Sequence, residues 1–144
     1  MAVIGFNFSR INVERKEAAK GKINVSNNVS ITNIEQTNIP LGKEKQNVLR
    51  FSFEFTSKFD PDIGNIILCG NLLFLEDDKK IKEIHTNWKK DKSVPKDIMS
   101  GILNTVLSRC NIQALILSQE VNLPPPVPLP KVRVEAPENK SYIQ

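Results

Sequence analysis

His85 is the single histidine among 144 residues, and imidazole is the side chain most often used to ligate a transition metal or to move protons near neutral pH. It sits next to Ile84 and three residues before Trp88, with no cysteine or second histidine close in sequence to complete a ligand set. A partly buried structural histidine is the reading that this setting favours. The carboxylate pairs fare no better as cation ligands. Asp77 and Asp78 stand where a helix begins and its first amides need acceptors, and Asp60 and Asp62 flank Pro61 in an ordinary turn composition. Neither pair lies in a loop with calcium-ligand spacing. Gly5, Gly64, Gly70 and Gly101 are scattered and form neither a phosphate-cradling loop nor a dinucleotide fingerprint. Cys69 and Cys110 are distant from each other and belong to no CxxC pair, so buried free thiols are expected in place of a metal site or a disulfide. No catalytic constellation, metal or cofactor is predicted.

The charge is informative through its arrangement. The net charge is +4, which raises nucleic acid as a partner, yet the lysines are dispersed. Between residues 76 and 92, Lys79, Lys80, Lys82, Lys89, Lys90 and Lys92 are offset by Glu76, Asp77, Asp78, Glu83 and Asp91, with acids leading and bases trailing. That order compensates a helix macrodipole and has a structural explanation. The densest imbalance, Arg10, Arg15, Lys16, Lys20 and Lys22 against Glu14 and Glu17, falls around a connection and reads as a solvated face.

Stepping along the chain, the first half carries a period of two and the second a period of three to four. Ile4, Phe6 and Phe8 alternate, and Ile11 and Val13 resume the alternation after a slip that fits a bulge. Residues 14–21 make a polar turn. Ile23, Val25, Val29, Ile31 and Ile34 suggest a second strand interrupted at Asn27 and Asn28, and residues 39–45, with Pro40 and Gly42, read as a loop. In residues 48–59, Leu49, Phe51, Phe53 and Phe55 share one face while Arg50, Ser52, Glu54 and Thr56 share the other, the pattern of an antiparallel sheet covered on one side. Residues 63–75 are apolar almost throughout, as a central strand would be. A short helix follows with Ile81, Ile84 and Trp88 inward. A longer one, capped by Ser93 with Pro95 in its first turn, carries Ile98, Ile102, Leu103, Val106, Leu107 and Cys110. Whether residues 112–121 prolong that helix or form another is left open by the pattern. The predicted class is α+β: a four-stranded antiparallel meander with C-terminal helices packed on one face, a single domain over residues 1–132 and a flexible tail over 133–144.

After this helix Leu123, Val127 and Leu129 alternate with Pro124, Pro125, Pro126, Pro128 and Pro130. Proline can neither continue a helix nor donate to a sheet, so the segment is predicted to be an extended, polyproline-like strap whose apolar side chains need a surface to lie on. No apolar run reaches the roughly 20 residues of a membrane helix, and the first residues lack a secretory pattern, so a cytoplasmic protein is expected.

Four strands followed by a helix, then Leu107, Ser108 and Arg109 at a turn entry and Asn122, Leu123, Pro124 and Pro125 after it, resemble the C-terminal half of the SecB-type export chaperones, and most of all archaeal SecB-like proteins of similar length. The resemblance implies a non-catalytic chaperone, working as a homo-oligomer (dimer or tetramer) that holds unfolded or extended polypeptide against apolar grooves. It nominates Trp88, Val121, Leu123, Val127 and Leu129 as polypeptide-binding residues. Leu115 and Leu117, in the apolar run of residues 114–117, are nominated for the oligomer interface. Residues 112–121 depart from the bacterial pattern as an insertion, and no acidic surface matches the bacterial export motor. Two other readings stand beside this one: a structural or adaptor subunit whose strap docks on a fixed protein partner, and an RNA- or ssDNA-binding protein stacking bases on Phe6, Phe8 or the phenylalanines of residues 51–55. The last requires those rings to face solvent, and their shared face argues against it.

Overall fold

The computed structural model describes residues 2–16 and 21–130, and the 133–144 tail lies outside the described residues. Four strands, β1 (Ala2–Arg15), β2 (Asn24–Leu41), β3 (Glu44–Asp60) and β4 (Gly64–Leu75), precede two helices, α1 (Asp78–Asp91) and α2 (Lys96–Glu120). All strand pairs are antiparallel, in the order β1-β4-β3-β2. The predicted meander holds for β2, β3 and β4. β1 corrects it, pairing with β4 along the opposite edge instead of with β2. The bulge at Phe8/Arg10 accounts for the slip before Ile11, and a second, at Val3/Gly5, falls at Ile4, which is exposed.

β4 is central, as its unbroken apolar sequence predicts. Gly64, Ile66, Leu68, Gly70, Leu72 and Phe74 are buried on one side, while the intervening residues are half-covered. On β3, Leu49, Phe51, Phe55 and Phe59 are fully buried and Phe53 is nearly so. At about 1.5–3 kcal/mol for each such side chain taken from water, this one strand face carries a large share of the driving force. Gly70 is required by the closeness of β1. A Cβ there would collide with the Asn7 carbonyl and the Phe8 backbone, and would press on the Phe53 ring. The space admits an aromatic cluster in which Phe6 stacks on Phe53 at 5.1 Å and Phe8 meets it edge-on at 6.1 Å.

Two local expectations are corrected. Residues 39–45 are no loop: β2 runs to Leu41 and β3 starts at Glu44, with Gly42 at φ 63° in the first of two turn positions, as a type II′ hairpin requires. Asn27 and Asn28 do not interrupt β2, because cross-strand pairing with Ser57 and Thr56 outweighs their weak strand propensity. Its irregularity lies at Ile31/Asn33.

The helices pack on one face. In α1, Asp77 caps the first turn by accepting from the Lys80 amide at 2.9 Å, Ile81, Ile84 and Trp88 are buried, and Lys92 in the left-handed region closes the end. Ser93 does not cap α2. Its hydroxyl and amide both donate to Asp91, whose carboxyl they hold below its ordinary pKa, and Pro95 takes the cap position without a side-chain bond. α2 continues unbroken through residues 112–120, burying Ile98, Ile102, Val106, Cys110, Ala114 and Ser118 at four-residue intervals. None of the described helices is long and apolar enough to cross a membrane.

Candidate functional site

The strap is positioned by the way α2 ends. Asn122 adopts φ 58°, the Asn122 amide donates to the Gln119 carbonyl at 3.3 Å, and the Leu123 amide donates to the Ser118 carbonyl at 2.8 Å. These are the two bonds of a Schellman motif, with asparagine in the place glycine usually takes. The reversal drops Leu123 into the core at 6 % exposure. Proline then keeps the chain extended, and Pro126, three residues on, is buried next, the three-residue recurrence of a polyproline-like strand. A polar clamp holds it there. The Asn27 side-chain amide donates to the Pro126 carbonyl at 2.8 Å, and its oxygen accepts from the Ser57 hydroxyl at 2.6 Å. Ser57 is fully buried, and this bond satisfies it. Asn27, which the sequence marks only as a weak strand residue, thus gains its role from position alone.

Between the strap and the start of β2 lies an apolar groove of about 540 Å³, lined by Val25 and residues 125–130. Val127 is half-buried and Leu129 is 46 % exposed. Of the nominated strap residues, then, these two border open space. Leu123 is core, and Val121 is half-buried and packed against the core. A surface role for Leu123 is corrected by this burial.

Trp88 lies elsewhere, beside the middle of β2. With His85, Lys89 and Lys92 of α1 and residues 33–36 of β2 it lines a more polar cleft of about 400 Å³. Trp88 is 7 % exposed, and its Nε1 is buried without a hydrogen-bond acceptor among the described residues. The Lys92 ammonium stands over the indole at 4.9 Å. Both concavities therefore border β2, an edge strand of 18 residues.

On α2, Leu115 and Leu117 are half-buried, and Leu117 packs against the core. The fully outward apolar residues are Ile112, at 57 % exposure, and Ile116, at 49 %. They were legible in principle: two positions on from a buried row, a helical residue points about 200° away from it. They share a stripe with Arg109, whose guanidinium lies 4.6 Å over the Phe6 ring of β1. Val3, Ile4 and Ile11, also exposed, belong to the same edge strand. Phe51, Phe53 and Phe55 face the helices and offer no stacking surface to bases.

No group of three or more histidine, cysteine, aspartate or glutamate side chains is gathered to hold a metal among the described residues. The cysteines are free and lie on opposite sides of the sheet. Burial pushes the Cys110 thiol up to about 12, and Cys69, half-buried on the open face 3.8 Å from Glu54, is raised first by desolvation and then by that carboxylate. Both shifts disfavour the thiolate, which makes these cysteines poor nucleophiles and ligands at neutral pH.

The architecture is that of an α+β protein with one sheet face covered by helices and a proline strap. No family model matches the chain, and no curated protein matches it. Among solved structures it is similar to the Mycobacterium tuberculosis Rv1957 SecB-like chaperone, in complex with a ChAD peptide from the Rv1956 HigA1 antitoxin. The two share 10 % identity over 94 % of this chain and 92 % of that one, at a TM-score of 0.46.

Proposed function

We propose that this protein is a non-catalytic, chaperone-like binder of extended polypeptide, with the β2 edge and its flanking concavities as the binding track. The observation that carries this reading is the pairing of a free strand edge with two concavities: the apolar groove at Val25, Val127 and Leu129 lies at the start of β2, and the more polar α1 cleft borders its middle at residues 33–36. From Val25 to Ile34 an extended chain covers about 30 Å. A client strand laid along β2 gains main-chain hydrogen bonds from the edge, and alternate side chains enter the concavities. Apolar capture of this kind is nearly independent of sequence, as a holder of unfolded chains requires. It also needs no chemistry beyond burial.

The test is suppression of aggregation. The purified protein should keep a reduced, aggregation-prone client in solution at low salt and equally at about 0.5 M salt, because apolar burial is maintained or strengthened as ionic strength rises. Binding of single-stranded RNA that collapses with salt, combined with no effect on the client, would replace this function with nucleic-acid binding.

A further inference from the structure

Resting on that reading, we infer that the α1 cleft selects carboxylate-bearing segments of the bound polypeptide, an aspartate or glutamate among apolar residues. Three observations meet there. The Trp88 side chain is more than nine-tenths buried, yet its indole N–H has no acceptor among the described residues. An unmatched buried donor is destabilising, and a ligand oxygen placed there relieves that cost. Lys89 and Lys92 stand on the same lining, with His85 beside them. The Lys92 ammonium stands over the indole ring and belongs to an exposed residue at the helix end. Swinging it from ring to ligand exchanges a cation–π contact for a charge-assisted hydrogen bond.

The basic end of α1 has a structural account in the helix dipole, but the dipole explains neither the unpaired indole nor its place in a cleft. Glu35 on the opposite rim is the one acid among the lining residues. It is engaged by Arg50, outside the cleft, at 3.8 Å and by the Asn33 amide on its own rim at 3.0 Å, so its charge is partly answered before a ligand arrives. A carboxylate entering from the β2 edge therefore meets two ammonium groups and a buried N–H. The amide of asparagine or glutamine meets the same donors without the charge.

The experiment uses two fluorescein-labelled, end-capped peptides of ~11 residues, long enough to lie across both concavities. They are identical except that two aspartates in one are asparagines in the other. The full chain should bind the acidic peptide about tenfold more tightly at low salt by anisotropy, as expected for a charge-assisted contact in a partly desolvated cleft. The preference should vanish in Lys89→Gln combined with Lys92→Gln, and shrink in Trp88→Phe, which keeps an aromatic ring and removes the N–H. In the unsubstituted protein the emission of Trp88, the single tryptophan, should change at about tenfold lower concentration of the acidic peptide than of the neutral one. Equal binding of both peptides overturns the inference while leaving polypeptide binding intact. A preference that survives the lysine pair also overturns it, since the selection then lies elsewhere. Failure of both peptides to bind removes the function and the inference together. Circular dichroism of the variants separates a lost contact from a lost fold.

Discussion

Asn27 joins three parts of the molecule through one amide. Its nitrogen holds the strap at Pro126, its oxygen satisfies Ser57, and its backbone is a rung of β2. Asn27→Ala should therefore leave a buried hydroxyl unpaired and a strap carbonyl unbound, lowering stability by about 1–3 kcal/mol in urea unfolding. Asn27→Asp keeps an acceptor for Ser57 but loses the donor to Pro126, and should loosen the strap with a smaller loss of stability. If the alanine variant unfolds at the same urea concentration as the parent, the clamp has no energetic role. At this scale the sequence was only partly readable. The Ile81, Ile84 and Trp88 row of α1 could be found from its period, because all three face one packed surface. Nothing in the local run of residues 24–31 says that Asn27 will meet a proline carbonyl 99 positions later.

The strap is an element in its own right, neither helix nor strand, and its residues divide by what lies beneath them. Leu123 follows the Schellman turn into the core, and Leu129 stays exposed on the groove beside Val25. Leu123→Ser should cost about 2–5 kcal/mol, as truncation of a buried leucine does. Leu129→Ser should shift stability by less than about 0.5 kcal/mol and weaken peptide binding instead. Equilibrium unfolding and peptide anisotropy on the two single variants separate these outcomes, which a combined substitution of the strap would merge. Equal losses of stability would mean that the whole strap is packing, and the groove would lose its standing as a site.

In the whole molecule, five of the seven large apolar residues exposed among the described ones lie away from β2, Val3, Ile4 and Ile11 on edge strand β1 and Ile112 and Ile116 on the α2 stripe that carries Arg109, while Leu41 and Leu129 lie on the β2 side. Scattered exposed hydrophobics are normal on any surface, whereas a group beside an unpaired strand edge fits self-association. The homo-oligomer proposed from the apolar run of residues 114–117 is best placed here, with Ile112 and Ile116 joining Leu115 and Leu117. Light scattering at micromolar concentration should give a dimer or tetramer mass, and Ile112→Asp with Ile116→Asp should reduce it to that of the monomer, since burying an uncompensated charge is costly. A monomer mass for the unsubstituted chain would sink the proposal. The β1 edge is opposite the β2 edge in strand order, so the variant should retain peptide binding.

The strands, their covered face, the helical rows and the extended strap were legible in the sequence because each follows from a repeat of two, three or four residues within one segment. Periodicity is a local quantity, and it reports which side of an element is buried without naming what buries it. That β1 leaves β2 to pair with β4 was decided by tertiary structure. Gly70 admits the β1 backbone, and Phe6 and Phe8 close on Phe53, contacts between residues 45 or more positions apart. The same holds for the track along β2. Its two concavities are made by Val25 with residues 125–130 and by residues 33–36 with α1, and only the folded chain sets those segments side by side. Whether Leu123 is core or surface, and whether the Trp88 indole finds an acceptor, turns on neighbours distant in sequence, which no single segment contains.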